Sequence, residues 1–209
     1  MTVYLDGSKI KAVNTLESFE RASPLADYKI SNGSTLSDYY NVVSSPVADG
    51  SKAVERINSA NTWRYIVRQS PPEAVARGNV YQMNVQEISS TNPGYASPVI
   101  LAGFDGSGEV NGYKVQVKWK NGSYVSVRRL DSSEETDLKK TSLSSNPTED
   151  SYVTIEIDLS NGNDITGSVI DVDGKNLGAA TATDSTYDNN SYGVGAYRET
   201  PVFDNLVQV

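Results

Sequence analysis

Apolar and polar residues alternate with a period of two along most of this chain. Tyr81, Met83 and Val85 alternate with Gln82, Asn84 and Gln86. Tyr113, Val115, Val117 and Trp119 alternate with Lys114, Gln116, Lys118 and Lys120, and Val153, Ile155, Ile157 and Leu159 with Thr154, Glu156 and Asp158. A strand turns successive side chains to opposite faces, so this pattern predicts half-buried antiparallel strands. Trp63–Arg68, Pro98–Phe104, Tyr124–Leu130, Ile165–Asp171, Leu177–Ala182, Tyr192–Tyr197 and Val202–Val207 are further strand candidates. Asn121-Gly122, Asn161-Gly162 and Asp173-Gly174 fall between them and supply the positive-φ residues that tight hairpins need. Pro72–Arg77 has room for one helical turn. The charged stretch Asp131–Lys140 lacks an apolar stripe and reads as a long loop. About a dozen strands with no helix, no linker and no repeat predict an all-β fold, an antiparallel two-sheet jelly-roll sandwich.

Ahead of this body, Thr2–Leu5 and Lys9–Val13 flank Asp6-Gly7, which predicts an N-terminal β-hairpin. The expected organisation is a hairpin or anchor over 1–15 and the jelly roll over 16–209. An isolated two-stranded hairpin is marginal in water, so it is expected to pack on the body or on another subunit, in keeping with a homo-oligomer. The first residues carry neither a basic region nor an apolar core, so no secretory signal is expected there.

Composition narrows the chemistry. The 209 residues include no cysteine and no histidine, which excludes disulfides, thiolate metal sites, histidine triads and an imidazole base. A net charge of −8 argues against nucleic acid as a partner, and no apolar run is long enough for membrane insertion as a helix. Thirteen tyrosines against two tryptophans and three phenylalanines mean that some tyrosines serve the core and others can face a ligand.

The C-terminal third carries a recognisable series. Tyr152–Leu159 is followed by Asn161–Ile170, the turn Asp171-Val172-Asp173-Gly174, the strand Gly193–Tyr197 and the closing Val202–Val207. Near the start, Glu17–Glu20 precedes Leu25–Tyr28, and Asp49–Val54 follows. In order and spacing these segments resemble the concanavalin A-like lectin/glucanase family of jelly rolls, of the laminin-G-like type, over roughly 16–209. The opening residues resemble the short N-terminal hairpins of virion proteins of haloarchaeal viruses.

The resemblance implies a structural Ca²⁺ held by Glu20, Asp204 and the stretch around Asp49 and Ser51, since hard oxygen ligands suit that ion. Asp171-Val172-Asp173-Gly174 lacks the other ligands of an EF-hand loop and reads as a hairpin turn. Glycosidases of this family use alternate carboxylates on one strand. Glu156 and Asp158 fit the first two positions, but Ser160 stands where the general acid belongs, so catalysis is not expected. A retaining mechanism needs two carboxyls about 5–5.5 Å apart.

Ligand binding is the expected activity. Tyr65 beside Arg64, the pair Tyr39-Tyr40, Tyr95, and Tyr187 with Tyr192 could stack on sugar rings. A groove face of Lys114, Gln116 and Lys118 with Arg128, Glu156 and Asp158 is the polar candidate. The favoured reading is a non-catalytic adhesion or structural module on a virion surface or outside the cell, with a glycan, a host cell surface and other virion subunits as partners. The alternatives are a carbohydrate-binding module of a secreted polysaccharide-degrading enzyme and, third, a glycosidase.

Overall fold

The computed structural model describes residues 3–5, 8–10, 14–48, 50–59, 61–86, 94–198 and 200–209. The N-terminal hairpin pairs β1 (Val3–Leu5) with β2 (Ser8–Ile10) in antiparallel register. The remaining strands are β3 (Asn14–Glu17), β4 (Tyr28–Ile30), β5 (Tyr40–Val43), β6 (Ala53–Arg56), β7 (Arg64–Arg68), β8 (Val80–Gln86), β9 (Tyr95–Phe104), β10 (Val110–Lys118), β11 (Tyr124–Asp131), β12 (Glu134–Ser142), β13 (Tyr152–Asp158), β14 (Asp164–Ile170), β15 (Asn176–Thr183), β16 (Ser191–Tyr197) and β17 (Val202–Gln208). They form two antiparallel sheets packed as a jelly-roll sandwich. One has the order β12-β11-β10-β9-β16-β7-β4. The other has the order β15-β14-β13-β8-β17-β6-β5, with β3 pairing on β17. Pro72–Arg77 is irregular, with a bend at Pro72-Glu73, rather than a helical turn; the helical segment among the described residues is the 3₁₀ turn Leu36–Asp38.

The alternation does what its period requires. Ile155 and Ile157 of β13, Met83 and Val85 of β8, and Val115 and Val117 of β10 enter one shared core with Phe203, Ile165 and Trp119. Glu156 and Lys114 therefore point away from that core on opposite sides of the sandwich. A bulge in β9 at Leu101, at φ 49°, turns Ile100 and Leu101 inward together. Opposite it, a Cβ on Gly112 would lie 2.9 Å from the Ala102 Cα and the Leu101 carbonyl, so that position admits only glycine.

The charged stretch read as a loop is instead the edge strand β12. Ser132 and Ser133 both take left-handed conformations, at φ 51° and 62°, and close a two-residue hairpin between β11 and β12. That geometry ordinarily calls for Asn-Gly, so a Ser-Ser pair gives little warning of it. An edge strand needs no apolar period, and its charges discourage pairing with a further chain.

A buried clasp ties the two sheets together. The Arg68 guanidinium on β7 donates to the Glu17 carboxylate on β3 at 3.0 Å, with both side chains at most 5% exposed. Tyr28 Oη and the Phe19 N–H donate to the same carboxylate, and Arg68 also reaches Tyr192 Oη. Tyr192 Oη in turn donates to the Leu16 carbonyl at 2.8 Å.

Candidate ligand-binding cleft

The outward face of the sheet that contains β10 is aromatic and polar. By register, Tyr65 of β7, Gly195 of β16, Ser97 of β9, Gln116 of β10 and Ser126 of β11 share that face, with Glu135 and Lys140 on β12 beyond. Gly195 makes room for a ring, since a Cβ there would lie 2.3 Å from Tyr65 Cδ1. Tyr65 lies on it, and Trp63 stacks on Tyr65 with centroids 5.5 Å apart and planes 3° apart. Trp63 also covers Lys114, whose Nζ stands 3.2 Å from the indole centroid.

From Trp63 the rings continue to Tyr197 at 5.7 Å, to Tyr95 at 6.4 Å, and from Tyr95 to Tyr124 at 6.4 Å. Trp63, Tyr95, Tyr124 and Tyr197 with Gln116 and Arg128 line a cleft of about 210 Å³. The Gln116 side chain is 1% exposed; its Nε2 donates to Tyr124 Oη at 2.8 Å, and its Oε1 has no hydrogen-bond partner. A buried acceptor in a cleft wall, unpartnered among ring faces, suits a ligand that brings hydroxyl donors and flat apolar faces together. A second hollow, of about 370 Å³, lies beyond Trp63 and Tyr197 and is also lined by Arg64 and Glu109.

Behind the cleft sits a charge network. Glu135 accepts from Lys114 Nζ at 2.7 Å, Tyr65 Oη at 2.8 Å and Arg128 Nη1 at 2.5 Å, and Arg128 Nε also meets Asp137 at 2.6 Å. Burial pushes the Lys114 ammonium down to about 7, against the pull of Glu135. Burial pushes Glu135 up, but Lys114, Tyr65 and Arg128 outweigh it and hold the carboxyl below its usual range. Between pH 7 and the ordinary lysine value of 10.5 the unfolded chain therefore binds more protons than the folded one. Stability is expected to gain from this site as pH rises from about 7, and to lose the Glu135 contribution in acid. Urea midpoints at pH 6.5 and 9 check this: the difference should shrink in Lys114→Met, and an unchanged difference would refute it.

Of the residues expected from the sequence, Tyr95, Gln116 and Arg128 line the cleft, while Tyr65 and Lys114 are fully buried beneath Trp63 and support it rather than face a ligand. Glu156 and Asp158 do not join them. Period two fixes a side chain's face on its own strand but not the sheet, and β13 lies in the other sheet. Glu156 accepts from Gln82 Nε2 at 2.8 Å, and Asp158 caps the Ser160 N–H at 2.8 Å. Nor do Lys114, Lys118 or Arg128 pair with them: the first and third hold Glu135, and Lys118 donates to the Asn121 carbonyl. Tyr40 and Tyr192 are core residues, and Tyr187 donates to Asp131. Trp63, Tyr124 and Tyr197 were not singled out from the sequence, although Trp63 is two residues from Tyr65 and thus on its face.

The residues expected to hold Ca²⁺ gather differently from a metal shell. Glu20 accepts from the Ser51 N–H, the Ser51 hydroxyl and the Lys52 N–H, each at 2.7 Å. Those donors hold its carboxyl below the usual range. Asp204 accepts from the Ala48 N–H at 2.8 Å, and Asp49 lies outside the described residues. The loop thus presents N–H donors to both carboxylates, where a cation would need carbonyl oxygens. The Lys52 ammonium itself lies on the Arg21 carbonyl at 2.8 Å. Among the described residues no three acidic side chains converge. Among the described members, Glu20, Ser51 and Asp204 are thus engaged with N–H and hydroxyl donors rather than with oxygen ligands of a cation. The melting midpoint is expected to be the same in EDTA and in millimolar Ca²⁺; a rise with Ca²⁺ would reveal a native-state site by mass action.

No protein-family model matches the chain, and no curated protein sequence matches it. Solved structures do share its fold. The carbohydrate-binding module CBM66 from Bacillus subtilis is similar with a TM-score of 0.55 and 15% identity, over 80% of this chain and 92% of that one. The CBM2 module of the evolved Dit of Lactobacillus casei BL23 phage J-1 gives 0.57 and 13%, over 94% and 95%. The exoplasmic/lumenal domain of VIP36 in its Ca²⁺/Man3GlcNAc-bound form gives 0.58 and 10%, over 93% and 87%. The likeness is one of fold: an antiparallel jelly-roll sandwich that carbohydrate-binding modules, the VIP36 lumenal domain and a β-glucanase also adopt.

Proposed function

We propose that this chain is a non-catalytic glycan-binding module and that the Trp63–Tyr124 cleft is its contact face. The observation that carries the reading is the ring of Trp63, Tyr95, Tyr124 and Tyr197 around the unpartnered acceptor of Gln116. Sugars offer an apolar ring face and a rim of hydroxyls, which is the complement of that surface. The likeness to a carbohydrate-binding module and to a Man3GlcNAc-bound lumenal domain supports it. The alternating carboxylates that a glycosidase of this fold would need lie on the opposite side of the sandwich from the cleft, which is why catalysis is left out. The test is a glycan array followed by titration of the best ligand against tryptophan emission. Trp119 is 1% exposed and Trp63 half-buried, so ligand is expected to change the emission of Trp63, with Trp119→Phe as the control. A chain that binds no glycan on the array sinks the proposal.

A second reading places the module on a virion surface, where it would attach the particle to a host glycan. Its support is the likeness to a module of a phage's evolved Dit, over nearly the whole of both chains. Antibody labelling of purified particles tests this: label on the particle surface is expected, and label confined to the culture fluid favours a module of a secreted polysaccharide-degrading enzyme. The N-terminal hairpin is proposed as the anchor or subunit contact, and light scattering of the chain with and without 1–13 tests it by the loss of an oligomer.

A further inference from the structure

We propose that the cleft selects an anionic glycan, one carrying carboxylate, sulfate or phosphate, through Lys118 and Lys140 at its Tyr124 end; this rests on the glycan-binding reading above. Lys140 Nζ stands 3.9 Å from the Tyr124 ring centroid and Lys118 Nζ 5.9 Å from it, and that ring is a wall of the cleft. Neither lysine has a carboxylate within ion-pair distance among the described residues, whereas Lys114 and Arg128 are held by Glu135 and Asp137. Lys114 and Arg128 belong to the buried network of Glu135 and Asp137, and Lys118 and Lys140 stand outside it. This end of the cleft carries two uncompensated positive charges on a chain whose net charge is −8. Local charge of the sign opposite to the whole molecule draws an anion to one place and repels it elsewhere.

A second, independent feature lies in the same cleft. Gln116 Oε1 is buried and unpartnered, and it neighbours Tyr124 through the amide Nε2 bond. A sugar seated against Tyr95 and Tyr124 can donate a hydroxyl to Oε1 while its anionic substituent meets the two ammonium groups. The chemistry shared by uronates, sulfated sugars and sugar phosphates is a pyranose face bearing a negative group, and the cleft reads both halves.

Calorimetric titration with polygalacturonate and alginate, each paired with its own carboxyl-reduced polymer, tests the inference. The charged forms are expected to bind about tenfold more tightly than the reduced ones at low salt, with the advantage shrinking as NaCl is raised. In Lys118→Gln/Lys140→Gln the ratio of charged to reduced affinities should fall towards one. Equal affinity for both forms, or a ratio untouched by the double substitution in a chain of unchanged melting midpoint, overturns the inference and leaves glycan binding standing. Wild-type binding to neutral array glycans but to neither anionic polymer does the same. Binding to no glycan of any kind overturns both.

Discussion

Replacing Trp63 by alanine is expected to weaken glycan affinity by about a hundredfold, the scale of a buried aromatic anchor worth about 3 kcal/mol. Two losses combine in that figure. The indole lines both the cleft and the second hollow, as Tyr197 does, so its removal takes away aromatic surface from each. It also uncovers one side of Tyr65 and Lys114, on which Trp63 lies. Trp63→Phe keeps a ring over Tyr65 and should retain part of the affinity. Calorimetry on both variants, with melting midpoints to verify folding, makes the comparison. Affinity within threefold of wild type for folded Trp63→Ala would remove the cleft from the binding face.

The largest stability effect is expected at the Arg68–Glu17 clasp. Glu17→Ala leaves a guanidinium that is 5% exposed with only the longer 3.6 Å ion pair to Asp27, and it deprives Tyr28 Oη and the Phe19 N–H of their acceptor. Breaking one side of a buried pair costs about 3–5 kcal/mol. For a domain of this size that corresponds to a fall in melting midpoint of about 6–20 °C. Removing both charges should cost less than removing one, because no charge is then left without a partner. Scanning calorimetry of Glu17→Ala and of Glu17→Leu/Arg68→Met decides this, and a fall below about 2 °C in the single variant would mean that the clasp contributes nothing.

Most of the sandwich was legible because its long strands carry one apolar side. In β13, Val153, Ile155 and Ile157 are buried while Thr154, Glu156 and Asp158 stay partly open, as alternation requires. β12 was not legible, because an edge strand of charged residues after a Ser-Ser turn has neither signal. The cleft was half legible. Gln116 and Lys114 were placed on one outward face, but alternation implies that such residues meet water. Lys114 is instead sealed by a tryptophan three strands away in sequence order and by a glutamate on the strand misread as a loop. Burial on both faces of β10 comes from tertiary contacts that no local pattern encodes. For Glu156 and Asp158 the face was right and the sheet was wrong, since pairing order cannot be read from a single strand.

The fastening of the Ala48–Lys52 loop has a consequence for where such a module can work. Polyuronates and polyphosphates are strong sequestrants of divalent cations. A binder whose loops were pinned by Ca²⁺ would have to compete with its own ligand for the ion that keeps it folded. Here the carboxylates of Glu20 and Asp204 are met by the chain's own amides and by the Ser51 hydroxyl. Donors supplied by the protein's own chain cannot be leached away, so Glu20 and Asp204 would keep these partners inside a matrix that strips metal from its surroundings.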